Sequence, residues 1–312
     1  MTAERTAPDT APSSDGDRLY ALQAFPQRLL VMNADGSDVR TLVDNLGGTP
    51  DGITADLERG HLYWTNMGAK FGENDGFIER CDLDGGNRTV IVPKGGTFTP
   101  KQIEYDPVTD RLYWCDREGM RVMRARRDGS EVTVLVQTGA GDRQRRDQRR
   151  HCVGIAVDPY NRYLYWTQKG PNNGGVGCIM RTSLDLGPRD DPAERADVEV
   201  LLDRLPEPID LMFDDRTDTL YWTDRGKGPR GNTLNAARVE AQGLTEHRIL
   251  MKGLWEGIGV CANARRDTLW VTDLFLGHVR RFDLANGEAR TIRRGWPLTG
   301  IVCTPAITFG GR

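Results

Sequence analysis

The sequence predicts an all-β fold: a six-bladed β-propeller with four-stranded antiparallel blades, its ring closed by the C-terminal strand joining the N-terminal blade. Three observations carry that expectation. First, an aromatic couplet recurs beside a threonine-like residue and an acid or amide. The copies are Tyr63-Trp64-Thr65-Asn66, Tyr113-Trp114-Cys115-Asp116, Tyr165-Trp166-Thr167-Gln168, Tyr221-Trp222-Thr223-Asp224 and a shifted Trp270-Val271-Thr272-Asp273. Their third positions lie 50, 52, 56 and 49 residues apart, and Leu19-Tyr20-Ala21-Leu22 is a worn sixth copy. A period in this range means stacked units, none of which buries its apolar faces alone. Second, each period holds four short runs rich in Val, Ile, Tyr and Trp, separated by Gly, Asp and Pro, the pattern of antiparallel strands. Third, the chain begins at the second run of a period and ends on a first run. The last run, residues 300–304, is therefore left to complete the N-terminal blade, which removes the free edges of an open stack.

The second period shows each element in order. Residues 52–56 form the first strand, 61–65 the second, 77–82 the third and 88–92 the fourth. The first strand recurs at Gly52-Ile53, Gln102-Ile103, Gly154-Ile155, Asp210-Leu211, Gly259-Val260 and Gly300-Ile301. Between third and fourth strands an Asp-Gly turn recurs, at Asp35-Gly36, Asp84-Gly85 and Asp128-Gly129. Such a turn supplies the positive φ of a tight hairpin.

The Leu220-Tyr221-Trp222-Thr223-Asp224 signature and its copies resemble the YWTD propeller family, known from low-density-lipoprotein-receptor-type modules. The resemblance covers roughly residues 18–305. It implies that the motif Tyr and Trp wedge between neighbouring blades. Receptor modules of that family are extracellular and have cysteine-rich neighbours, which this sequence does not show, so no receptor-binding residue is carried over.

Composition narrows the function. The chain has 312 residues and a formal net charge of −3, with a pI near 5.9. That speaks against nucleic acid, whose binding needs a basic face to displace counterions. No apolar run approaches the roughly 18–20 residues of a membrane span. Residues 1–16 read as a disordered tail, 17–308 as one propeller domain and 309–312 as a C-terminal tail. The N-terminal stretch lacks the apolar core of a secretory signal, so a cytoplasmic location is expected. Six cysteines without a CxxC pair are expected to be free thiols.

Alternate loops of antiparallel blades fall on opposite faces of the disc. The connections from second to third strand, and from fourth to the next first, share one face, and the unusual residues fall there. Long Gly- and Asn-rich loops run from Asn66 to Gly76, Gln168 to Gly177 and Asp224 to Asn235. Long loops on one face of a rigid scaffold are where function concentrates. Trp255 and Trp296, the two tryptophans outside the motif, sit at adjacent blade junctions. Asp51, Lys101, Gln102, Glu104, His151, Glu207, Asp210 and Glu256 start or flank the innermost strands. Buried charges there are costly unless paired or solvated, and Lys101 is expected to pair with Glu104 or Asp210.

The expected function is a propeller that binds a small polar or partly aromatic metabolite in a loop-rich central funnel. Acid–base chemistry of hydrolase, isomerase, cyclase or lyase type would assign proton transfer to Glu104 and His151. Lys101 and Asp210 would polarise or orient, Trp255 and Trp296 would pack, and Asp51, Gln102, Glu207 and Glu256 would complete the binding set. No HExxH, clustered-histidine or GxSxG pattern is present, so no metal ligand is assigned. A divalent cation, Ca or Mg, on Glu104, Asp210 and Asp51 at the central channel stays open, because oxygens from different blades would converge there. The arginine-rich stretch 139–151 reads as a solvated, mobile loop, or alternatively as a lid for an anionic ligand. The rival function is a non-catalytic protein-interaction scaffold.

Overall fold

The motif forms the second strand of every blade, and its side chains explain why the blades join. In the computed structural model, which describes residues 16–295 and 297–305, twenty-four strands make six four-stranded antiparallel sheets. Leu298–Thr304 pairs antiparallel with Arg18–Gln23, with Val302 opposite Tyr20. The ring therefore closes as the sequence predicts. Residues 1–15 and 306–312, which include most of the expected tails, lie outside the described residues, as does Trp296.

Side chains alternate across a strand, so motif neighbours face different blades. Tyr165 of the fourth blade packs with Leu211, Phe213 and Trp222 of the fifth. Trp166 packs backwards, with Tyr113 and Val122 of the third. The same pairing puts Tyr63 with Trp114 and Tyr20 with Trp64. In the sixth blade the motif is shifted by one: Trp270 takes the tyrosine position toward the first blade, and Val271 takes the tryptophan position toward the fifth. The alternation survives although the aromatic moves. Trp64, Trp114, Trp166, Trp222 and Trp270 are all buried. A ring this size buries about 150–250 Å², and each junction owns its own hydrophobic cluster rather than a share of one central core.

The motif threonine locks the innermost strands. Thr65 Oγ1 accepts from Gly52 N (2.9 Å) and donates to Lys101 O of the next blade (2.6 Å). Thr167 accepts from Gly154 N (2.7 Å) and donates to Ile209 O (2.9 Å). Thr223 and Thr272 repeat the clamp. Cys115 keeps only the outgoing half, to Gly154 O. The motif's fourth residue holds the loop that leads into its blade. Asp116 accepts from Phe98 N and Thr99 N, Asp224 from Glu207 N, and Asp273 from Trp255 N.

The Asp-Gly turns do more than reverse the chain. Gly129 has φ +83, and a Cβ there would stand 1.9 Å from Ile91 O on the outer strand of the preceding blade. Gly36 and Gly85 meet Ile292 and Leu42 in the same way. Glycine is thus required both for the turn and for the close approach of the preceding blade.

Candidate functional sites on two faces

All six innermost strands begin on the loop-rich face and end on the opposite one. At equivalent positions near their starts, the second residue of five strands and the third of Glu207–Asp214, stand Asp51, Lys101, Val153, Ile209, Ile258 and Thr299, all of them buried. Val153, Ile209 and Ile258 form an apolar cluster. Beside it Lys101 Nζ bonds Asp51 Oδ1 at 2.5 Å, and Gln102 Nε2 donates to Asp51 Oδ2 at 3.1 Å. Burial lowers the Lys101 pKa, and Asp51 partly offsets this. One residue further, four of the six strands carry glycine; a Cβ on Gly300 would lie 2.5 Å from Asp51 O. The axis is therefore shut at this level, and the two faces carry separate sites.

On the loop-rich side the charges form a network. Glu207 accepts from Arg225 Nε (2.8 Å) and from the Asn173 backbone N–H (2.6 Å), with Lys169 Nζ at 3.7 Å. Arg225 also bonds Glu256. Lys169 donates to Gly170 O and Asn172 Oδ1, and burial followed by the Arg225 charge lowers its pKa to about 8. Asn172, Asn173, Arg225, Lys227, Trp255 and Phe275 line a hollow of about 450 Å³. The Trp255 and Phe275 rings are 6.4 Å apart and tilted by 53°. Both are exposed, at 63% and 71%, as are Phe25 and Phe71 on loops of the same face in the first and second blades.

The stretch after Gly139 is folded rather than a mobile loop. Helix α1, Gly141–Arg145, and a 3-10 turn at Gln148–Arg150 lie against the third blade. Arg145 stacks 4.2 Å from the Phe98 ring centroid and donates to Glu118 O. His151 Nε2 meets Arg145 O at 2.8 Å, so the imidazole fastens this segment, and burial lowers its pKa.

Glu104 lies elsewhere. Together with Asp210 it lines a cavity of about 180 Å³ whose wall includes Leu57 and Arg266, from turns between first and second strands. That cavity belongs to the opposite face. The acid–base pair expected from the sequence is thus not assembled: Glu104 and His151 occupy different faces. Lys101 pairs with Asp51, not with Glu104 or Asp210, because adjacent second-position residues meet around the axis. Asp210 Oδ1 and Oδ2 instead accept from Leu211 N and Val260 N, and burial raises its pKa well above the usual carboxylate range. The trio Glu104, Asp210 and Asp51 does not form a cation site; among the described residues no group of three or more His, Cys, Asp or Glu is gathered to hold a metal. Glu207, Glu256 and Trp255 do come together, joined by Lys169, Arg225 and Phe275, which the sequence reading did not single out. All six cysteines are unpaired. No helix among the described residues is long and apolar enough to cross a membrane.

Comparison with known proteins agrees with this architecture. No family model matches the chain. A relative from Pyricularia oryzae named low-density lipoprotein receptor-related protein 1 is 45% identical over 276 residues, 85% of this chain and 88% of that protein. The chain belongs to the YWTD-repeat propeller family. A second relative, 3-hydroxyacyl-CoA dehydrogenase-like protein LAM1 of Cochliobolus heterostrophus, is 38% identical over 258 residues. The match covers 79% of this chain but only 54% of that protein. Among solved structures, a chain of the nidogen/laminin complex superposes with TM-score 0.73 at 22% identity, covering 93% of this chain and 99% of that one. A gluconolactonase from Xanthomonas campestris gives 0.60 at 17%, covering 90% and 86%. These two share the propeller fold.

Proposed function

We propose that this YWTD propeller is a binding module whose loop-rich face docks an acidic polypeptide segment. The observation that carries this reading is the placement of four exposed aromatic rings, Trp255, Phe275, Phe25 and Phe71, on one face across three consecutive blades. Aromatic anchors at a rim suit a polypeptide partner, whereas a small-molecule site hides them in a funnel. The charge of the same face sets the partner's sign. Five arginines stand in residues 141–150; Arg143 and Arg146 are exposed, as are Lys70, Lys227 and Arg230 on neighbouring loops and Lys94 on the fourth strand of the second blade. The chain as a whole is acidic, so this basic surface is local, and complementary charge would orient a partner before contact. The nidogen/laminin likeness supports the scaffold, not that partner. The name of the dehydrogenase-like relative is not carried over, because this chain covers about half of it.

Selection from a displayed library of acidic, aromatic-containing peptides tests the reading. Peptides chosen on the wild-type chain are expected to lose binding to a Trp255→Ala, Phe275→Ala double variant and to keep it with Tyr160→Ala, whose exposed ring lies on the opposite face. Equal binding to the double variant, or no selected peptide, would overturn the proposal.

A second reading has its own observation. The hollow beside Trp255 holds Arg225 between Glu207 and Glu256, and its volume falls in the range of small-ligand pockets. A small polar, partly aromatic metabolite there would raise the melting temperature of wild-type protein but not of Trp255→Ala. Acid–base turnover is not part of either reading, since the two groups that would share a proton lie apart.

A further inference from the structure

The cavity of the opposite face is independent of the loop-rich surface and has chemistry of its own. All six blades contribute innermost strands to its wall. Most of the residues that line it are apolar, Ile53, Ile103, Met212, Val260 and Val302 among them, and its polar surface comes from the strand backbones and a few charged side chains. The polar groups around it are mostly acceptors. Asp210 already receives a backbone N–H on each oxygen and meets no side-chain cation. Gln102 has one of its two amide N–H groups committed to Asp51. Glu104 has neither a hydrogen bond nor an ion pair to another described residue; the charges near it are those of Arg266, Asp106 and Asp210. Arg266, at the edge of the cavity, is turned toward Met212 Sδ at 3.8 Å and Asp214 Oδ1 at 3.9 Å.

We propose that this axial cavity binds a small primary ammonium compound with an apolar body of about the size of benzene, its ammonium held by Glu104. Three features select that class. The volume of about 180 Å³ is close to the roughly 150 Å³ of an engineered cavity that takes benzene. The unsatisfied side of the wall is acceptor-rich, so the ligand must bring donors, and an ammonium brings three. An anion would stand against Glu104 and Asp210, with only Arg266 at the edge, turned toward Met212 and Asp214, to meet it. A neutral alcohol of the same shape would supply one donor and forgo the charge-assisted bond.

The test uses the full chain at pH 8, where the Glu104 carboxyl, raised by burial to about 7, is ionised. Benzylammonium is the probe, read by isothermal titration and by ligand-observed NMR. Saturable binding is expected, weakened about tenfold or more by Glu104→Gln, the loss typical of a hydrogen bond to a charged group. Val302→Phe, which fills the cavity, should abolish it, and benzyl alcohol should bind much more weakly than benzylammonium. Trp255→Ala, on the other face, should leave it unchanged. The proposal is overturned if benzylammonium does not bind the wild-type chain, if Glu104→Gln or Val302→Phe binds it equally well, or if Trp255→Ala removes the binding. This test and the peptide selection read different faces, so either can fail alone.

Discussion

At the scale of single residues the motif threonine is the most informative side chain. Thr167 satisfies one N–H and one C=O belonging to innermost strands of two different blades. Thr167→Val keeps the shape and strands both groups. A loss of about 1–3 kcal/mol is expected, the penalty of an unsatisfied buried polar group, visible as a lower urea midpoint. Thr167→Cys should cost less, because Cys115 shows that a thiol can keep the outgoing half of the clamp. Glu104 gives a prediction in pH. Its folded pKa of about 7 exceeds the ordinary 4.5, so between these values the folded chain binds more protons than the unfolded one. Its contribution to stability falls as pH rises from about 4.5 to 7. Wild-type protein should therefore lose stability relative to Glu104→Gln across that window, by roughly 3 kcal/mol at 1.36 kcal/mol per pKa unit. Equal pH profiles for the two would remove the argument. The sequence showed that these acids and His151 lie near the strand ends but not which end, since Glu104 is only three residues past Lys101 on a strand that crosses the whole disc.

At the scale of strands and turns, period and alternation carried most of the fold. They placed the second strands within a residue, His61–Asn66 for the expected 61–65. Fourth strands were less legible: Thr89–Thr97 runs five residues past the expected end, because Pro93, Gly95 and Gly96 read as a break. The arginine stretch read as a mobile loop for a similar reason. Nothing local signals that Arg145 will find the Phe98 ring, a contact between residues 47 apart. The Asp-Gly turn was legible as a turn, but not as a contact between blades. That second role makes the prediction sharp. Gly129→Ala faces both a positive φ and a carbonyl oxygen at 1.9 Å, so it should cost more than the 1 kcal/mol or so by which glycine and alanine ordinarily differ. Gly141→Ala, also at positive φ but with nothing within 4 Å, should cost less. Equal denaturation midpoints for the two variants would show that the blade contact contributes nothing.

At the scale of the whole molecule, closure decides whether six marginal sheets behave as one. Each blade buries its aromatics only against a neighbour, so a ring has six junctions where an open stack of the same blades has five. The C-terminal strand supplies the sixth. Leu298 and Ile301 are buried in the cluster that holds Trp270 and Leu19, while Thr299 Oγ1 donates to Pro50 O of the second blade. A single seven-residue strand thus ties the first, second and sixth blades. A chain cut after Gly295 would expose the edge of Arg18–Gln23, which otherwise pairs along this strand, and exposed edges invite association. The cut chain is expected to melt lower and over a broader range, and to form oligomers on size-exclusion chromatography. A synthetic peptide spanning residues 297–305, added in excess, should restore a sharp transition and a monomeric profile, since it supplies the missing pairing without changing any blade. If the cut chain melts as sharply and as high as the full one, the junctions are independent and closure adds nothing to stability.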